Sequence, residues 1–277
     1  MQAIGSFLGR LITRLIETQI MLIGAGVAFY AMLAVFPGLS ATIAIWSTFA
    51  DPMVIQSYMQ VADAFIPPAA FELLSGQISA LLQGPRDSIG WPAILSILIT
   101  LWSARAGVGA LIDGLNLIHG TEHRSTLFGY LFGYVVTVAL VGVMLVALAT
   151  VVIVPVAMNF LPFHRLTGWL ATGLPWIGML LMMLTALGIL YRYGPNTPDE
   201  RDPLFSWGSV LAAAVWGAAS LGLTFYLANF GNYNKVYGSI GAVIALMMWL
   251  YVSAVSVLLG AALNAELNAT RKAQENA

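Results

Sequence analysis

Arg105, Asp113 and Asn116 stand in a stretch that is otherwise almost wholly apolar. An ionisable side chain inside a bilayer costs about 2.5–3.5 kcal/mol on insertion scales, so each one needs an explanation. At about 100° per residue, Trp102, Arg105, Gly109, Asp113 and Asn116 fall within one helical arc, and His119 and His123 extend it. Such a stripe is expected to face a bundle interior or a wet cavity. Arg105 and Asp113 lie about 12 Å apart along an ideal helix, too far for a close pair. Arg105 reads either as an anion contact in a cavity or as a cation snorkelling to the interface, with Asp113 ending the span there.

A second polar stripe comes near the end of the chain. Trp249, Ser253, Ser256, Gly260 and Asn264 share one face, where hydroxyls and an amide could line a path or bond across helices. Glu266 falls off that stripe and is expected to be solvated near a membrane boundary. Between the last two apolar runs, Asn229, Asn232, Asn234 and Lys235 suit a tight polar hairpin. Phe225, Tyr226, Phe230, Tyr233 and Tyr237 around it suit an interfacial aromatic belt, and the turn reads as an anchor or as a ligand site at an outer mouth.

No residue pattern points to catalysis. His119 and His123 are spaced i,i+4 without the carboxylate of a zinc-protease motif, and no glycine loop suits a phosphate. The acids are scattered singly, cysteine is absent, and the few cations are dispersed. No metal, cofactor or nucleic-acid partner is therefore expected.

The elements that must position these residues follow from composition. The 277-residue chain is 60% hydrophobic and 8% charged, with a net charge of −1. Soluble domains carry about 25% charged residues. Its mean hydropathy of +0.87 excludes a soluble enzyme, a disordered chain and a binder driven by basic charge. A spanning helix needs about 20 mostly apolar residues, because lipid offers backbone groups no partner. Six stretches qualify, over 20–49, 91–112, 127–154, 169–191, 205–228 and 236–263. Pro37 is expected to kink or end the first. Pro155 is expected just beyond the third.

The expected architecture is all-α: an integral membrane six-helix bundle with amphipathic N-terminal and outer-loop helices. Ile4, Phe7, Leu8, Leu11, Ile12, Leu15 and Ile16 repeat at helical spacing, with Arg10 and Arg14 off the stripe. Residues 1–19 therefore read as an amphipathic helix, either lying on the membrane or packed on the bundle. They do not read as a signal peptide. Residues 20–266 form the membrane domain, with 51–90 as an outer cap of two short amphipathic helices, lid or cover. Residues 267–277 read as a cytoplasmic tail. Seven Lys or Arg residues (Arg10, Arg14, Arg124, Arg192, Arg201, Arg271, Lys272) against three (Arg86, Arg165, Lys235) favour both ends inside. Small residues recur four apart at Ala106, Ala110 and Gly114, at Ser209, Ala213 and Gly217, and at Gly238 and Ala242. They let helices approach closely, within one chain or between chains.

Several segments carry a family likeness. They are Ala28-Phe29-Tyr30-Ala31-Met32-Leu33-Ala34-Val35-Phe36-Pro37, Leu101-Trp102-Ser103-Ala104-Arg105-Ala106-Gly107-Val108-Gly109, Tyr191-Arg192-Tyr193-Gly194-Pro195-Asn196 and Tyr237-Gly238-Ser239-Ile240-Gly241-Ala242. In this order the chain resembles the YihY/BrkB family of bacterial inner-membrane proteins, over roughly residues 20–266. The resemblance implies six spans, an inner-membrane location and a role tied to the cell envelope or its lipids. Members have also carried a ribonuclease label, for which these residues offer no chemistry. Ala262 stands where the family often has Glu, and Ala34 where Ser is common.

Three functions are set against one another. The polar stripes suit transport or translocation of a lipid or small anionic solute, with Arg105, Asp113, Asn116, Ser253, Ser256 and Asn264 as cavity candidates. The small-residue seams suit a scaffold whose partner is a second copy or another envelope protein. A hydrolase ranks last. Membrane lipids are partners in every case.

Overall fold

A computed structural model describes residues 2–46, 71–72, 74–76, 78–79, 91–122, 124, 126–159, 167–197, 201–229 and 239–275. Among them all regular structure is helical. The helices are α1 (Gln2–Glu17), α2 (Ile20–Trp46), α3 (Trp91–His119), α4 (Thr126–Asn159), α5 (Thr167–Tyr193), α6 (Trp207–Asn229) and α7 (Ser239–Glu275). Among the described residues, four stretches are long and apolar enough to cross a membrane: Ile20–Gly38, Ile94–His119, Trp207–Leu227 and Gly241–Glu275. Leu127–Val143 and Ile177–Tyr193 are shorter apolar helical stretches. Bulky apolar side chains lie exposed along these helices, among them Leu127, Leu221 and Phe225. Water would penalise such a surface, whereas hydrocarbon would not.

The helices run on past two prolines and past residue 266. α2 runs through Pro37 to Trp46, and α4 runs through Pro155 to Asn159. α7 continues as helix to Glu275, so residues 267–275 extend the last helix. In the segment 51–90 the described residues, all within 71–79, are helical. The first of its two expected amphipathic helices lies outside the described residues.

The chain divides into two compact units. The first comprises Met1–Gln19, Ile112–Ala213 and Val257–Ala277. In it α4 packs on α5, and Leu115, Ile118, Leu190, Tyr191, Leu258 and Ala261 form a buried core. Two glycines set the approach of α6 to α7. A Cβ at Gly208 would strike the Gly260 carbonyl, and a Cβ at Gly260 would strike the Gly208 carbonyl and lie 2.8 Å from Ala212 Cβ. Backbones meet there because neither residue carries a side chain. Gly217, expected in such a seam, has open space where its Cβ would stand.

α3 ends on Gly120, whose φ is +65°. Thr121 N–H donates to the Asn116 carbonyl at 2.9 Å, and Gly120 N–H to the Leu117 carbonyl at 3.2 Å. This 6→1 and 5→2 pair satisfies carbonyls that the last helical turn leaves open.

The second unit comprises Ile20–Leu111 and Ala214–Ser256. Here Gly107 admits α2, its Cβ position lying 3.6 Å from Tyr30 Cβ. Two tryptophans tie α6 to α7 reciprocally. Trp216 Nε1 donates to Ser253 Oγ at 2.9 Å, and Trp249 Nε1 donates to Ser220 Oγ at 3.2 Å. The two rings lie 6.2 Å apart.

Candidate functional site

The strongest charge arrangement lies in the first unit, where α1 meets α7. Arg10 and Arg14, one turn apart, share a face of α1. Arg10 Nε donates to Glu266 Oε1 at 2.5 Å, and Arg14 Nη2 to Glu266 Oε2 at 3.3 Å. The Glu266 side chain is 2% exposed, against 52% for Arg10 and 28% for Arg14. Sequence reading placed Glu266 in solvent. Its carboxylate is instead buried, because two cations of α1 cover it and compensate its desolvation. Arg14 Nη1 also donates to the Ile118 carbonyl at 2.6 Å, in the last turn of α3, where the helix dipole favours a cation. These bonds dock α1 on the unit. Leu8, Ile12 and Ile16, at i, i+4 and i+8, stay exposed. The amphipathic helix thus has one polar edge clasped to protein and one apolar stripe open.

Beside the clasp lies an open groove of about 560 Å³. Arg10, Arg14, Glu17, Glu266, Ser6 and Thr13 are among its lining residues, so it offers both signs of charge and hydroxyls.

A second cluster surrounds Asn264. Ser206 is the N-cap of α6. Its Oγ accepts from Ser209 N–H, and Ser209 Oγ accepts from Ser206 N–H, both at 3.1 Å. This reciprocal pair is a capping box with serine in the third position. Asn264 Oδ1 accepts from Gly208 N–H at 2.8 Å, satisfying another open donor of the same terminus. Its Nδ2 donates to Ser206 Oγ and to Asp202 Oδ2, while Asn268 Nδ2 donates to Asp202 Oδ1. Asp202, Ser206, Ser209 and Asn264 are all buried. Asp202 was not singled out from sequence, since a lone loop carboxylate carries no local pattern.

Asn116 is also buried. Its Oδ1 accepts from Asn196 N–H at 2.8 Å and from Thr121 Oγ1 at 3.2 Å. Arg124 completes this strap. Its guanidinium donates to the Gly194, Tyr193 and Pro195 carbonyls at 2.7, 3.1 and 2.9 Å and lies 3.9 Å from the Phe132 ring centre. Burial, and then the charge of Arg201, lower the Arg124 pKa from the ordinary guanidinium value.

The remaining candidates are scattered. Asp113 is exposed, as is Trp102 of the same arc. Within α3, Ser103 and Gly107 are buried in the second unit, and Ile112, Gly114, Leu115, Asn116 and Ile118 in the first. The Arg105 arc therefore does not pack as one face: Asn116 is buried, Arg105 half-buried and Asp113 exposed. Arg105 is half-buried, and its Nη1 lies over Gly109, where a side chain would obstruct it. Ser253 accepts from Trp216, and Ser256 donates to the Val252 carbonyl of its own helix at 2.8 Å. Asn229 ends α6. Asn232, Asn234, Lys235 and His123 lie outside the described residues. Among the described residues, no group of three His, Cys, Asp or Glu could hold a metal ion.

A family model described as Virulence factor BrkB matches residues 11–277. The ribonuclease-like protein YfkH of Bacillus subtilis (strain 168) is 29% identical over 272 residues, covering 96% of this chain and 97% of that protein. A UPF0761 membrane protein of Tolumonas auensis is 35% identical over 104 residues, covering 38% of this chain and 34% of that protein. Another, from Alkalilimnicola ehrlichii, is 28% identical over 246 residues, covering 86% of this chain and 52% of that protein. The chain thus spans nearly all of YfkH but only about a third to a half of these two longer relatives. No solved structure matches it. Long apolar helices and a family match over nearly the whole chain together make this a membrane protein of the Virulence factor BrkB family.

Proposed function

We propose that the protein crosses the bacterial inner membrane six times, with residues 1–19 and 267–277 both on the cytoplasmic side, and moves a lipid or small anionic solute for the cell envelope. The crossing count rests on α2 to α7. α4 and α5, with 34 and 27 residues, reach about 51 and 40 Å at 1.5 Å per residue. Both exceed a hydrocarbon core of about 30 Å. The ion pairs from Arg10 and Arg14 to Glu266 support a shared side for the two ends. An even number of crossings returns the chain to that side.

The observation that carries the transport reading is the groove of about 560 Å³ lined by Arg10 and Arg14. It puts guanidiniums, hydroxyls and two carboxylates in an opening along one face of α1, whose exposed apolar stripe lies on another face. Such a place suits a headgroup or a small anion. Arg105, half-buried in α3, belongs to the second unit and is a cation candidate in its own right. No hydrolytic step is part of this reading.

Proteoliposomes test it. Wild-type protein should speed transbilayer movement of a fluorescent phospholipid, or efflux of a small organic anion, over protein-free vesicles. Arg10→Gln should reduce the rate while the protein stays folded. Rates no higher than in empty vesicles, for both cargo classes, would defeat the proposal.

The hydrogen-bonded burial of Asn116 and Asn264 favours a second reading. Polar groups bonded to protein partners suit a scaffold, which binds another envelope protein or a second copy and moves nothing. Stable co-purification of an envelope protein, with no flux, would favour it.

A further inference from the structure

We propose that Arg192 and Arg201, gathered around Tyr193 beside Arg124, form a binding site for the phosphate headgroup of an anionic phospholipid. The Arg192 and Arg201 Cζ atoms lie 5.7 and 5.5 Å from the Tyr193 ring centre. Arg124 is tied to the Tyr193, Gly194 and Pro195 carbonyls. Three guanidiniums therefore converge on the C-terminal end of α5. Among the described residues, none of the three is within salt-bridge distance of a carboxylate, since both ion pairs there belong to Glu266.

The nearest carboxylate in sequence is committed elsewhere. Asp202 follows Arg201 directly, yet both its oxygens are held by Asn264 and Asn268 in the buried interior. Arg192 donates to the Asp202 backbone carbonyl at 3.1 Å rather than to its carboxylate. Glu122 is exposed and adjoins the strap through its backbone carbonyl, which accepts from Asn196. Asp199 and Glu200 lie outside the described residues. Burial, and after it the charge of Arg201, lower the Arg124 pKa, so the two guanidiniums repel one another. An anion between them would relieve that repulsion.

The surroundings identify the anion as part of a lipid. Leu204, Phe205 and Trp207 lead into α6 and are all exposed. Leu127 and Phe128, in the first turn of α4, are exposed as well. Aromatic and apolar side chains beside cations, at the ends of membrane helices, mark the level of lipid headgroups. Arginine suits this ligand because its planar fork meets two phosphate oxygens at once. Tyr193, 38% exposed, offers a hydroxyl-bearing edge to the same headgroup. The site shares no residue with the groove at α1, so it does not depend on transport.

The test uses the full chain, purified in detergent and titrated with phosphatidylglycerol, phosphatidylcholine or inorganic phosphate. Thermal unfolding and lipid retained on purification are the readouts. Phosphatidylglycerol should raise the unfolding midpoint and be retained in preference to phosphatidylcholine. Arg201→Gln should weaken retention about fivefold, and Arg192→Gln with Arg201→Gln further still. Arg271→Gln, an exposed cation of α7 outside the cluster, should change nothing. If the double variant fails to fold, exposed Arg201→Gln alone carries the comparison. Equal retention of both lipids, or undiminished retention by Arg201→Gln, would overturn the site. Equal protection by inorganic phosphate without lipid would overturn the lipid assignment.

Discussion

Arg14 Nη2 lies 3.3 Å from Glu266 Oε2, although the two residues are 252 positions apart. With Arg10 they join the first helix to the last. Glu266→Gln keeps the shape of the side chain and removes the charge that both arginines share. The expected loss is about 1–3 kcal/mol, discounted from a fully buried pair because the arginines are partly exposed. Hydrogen exchange should rise across α1 and stay unchanged in α2. Unchanged protection of α1 would show that apolar packing, not the clasp, holds it.

Gly260→Ala should be among the most damaging small changes in the chain. The added methyl meets the Gly208 backbone and Ala212, so the helices must separate, at a cost of about 1–3 kcal/mol or more. Gly217→Ala meets open space and should stabilise α6 by up to about 1 kcal/mol through helix propensity. Thermal unfolding in detergent distinguishes the two.

Ser253→Ala removes the acceptor for Trp216 and leaves an indole N–H without its partner. Cross-helix hydrogen bonds in membranes average about 0.6 kcal/mol. A double-mutant cycle of Ser253→Ala with Trp216→Phe should give a coupling of about that size. Zero coupling would reduce the Trp–Ser pair to packing.

The chain contains no cysteine, so single introduced thiols report topology without background. Gly5→Cys and Gln274→Cys should both react from the cytoplasmic side, and Gln83→Cys from the opposite side. Labelling of Gly5→Cys and Gln274→Cys from opposite faces would defeat the six-crossing arrangement.

Arg124→Lys should not behave as a conservative change. One ammonium cannot serve three carbonyls and the Phe132 face as a planar fork does. A loss of about 1–2 kcal/mol is expected. Proteolysis should then cut faster near residues 194–206.

Much of the helical framework was legible because bilayer burial leaves a coarse signal: long runs without charge. The amphipathic stripe of α1 was equally plain. What covers a face was not. Arg105, Asp113 and Asn116 share an arc, yet Asp113 is exposed and Asn116 buried, because periodicity reports which residues align and not which neighbour arrives. Glu266 was misread for the same reason, its partners being supplied by α1. Asp202 gave no signal, since its role depends on Asn264 and Asn268 across the fold. Gly120 could have been read, as a glycine after a helix with a histidine in its last turn is a recognisable stop.

The Arg10 and Arg14 clasp also fixes an order of events. α1 leaves the ribosome early, but its carboxylate partner is made only when α7 is nearly finished. Until then two guanidiniums wait without the carboxylate that pairs them. α1 is therefore made well before it can settle, and its docking requires that Glu266 of α7 has been synthesised.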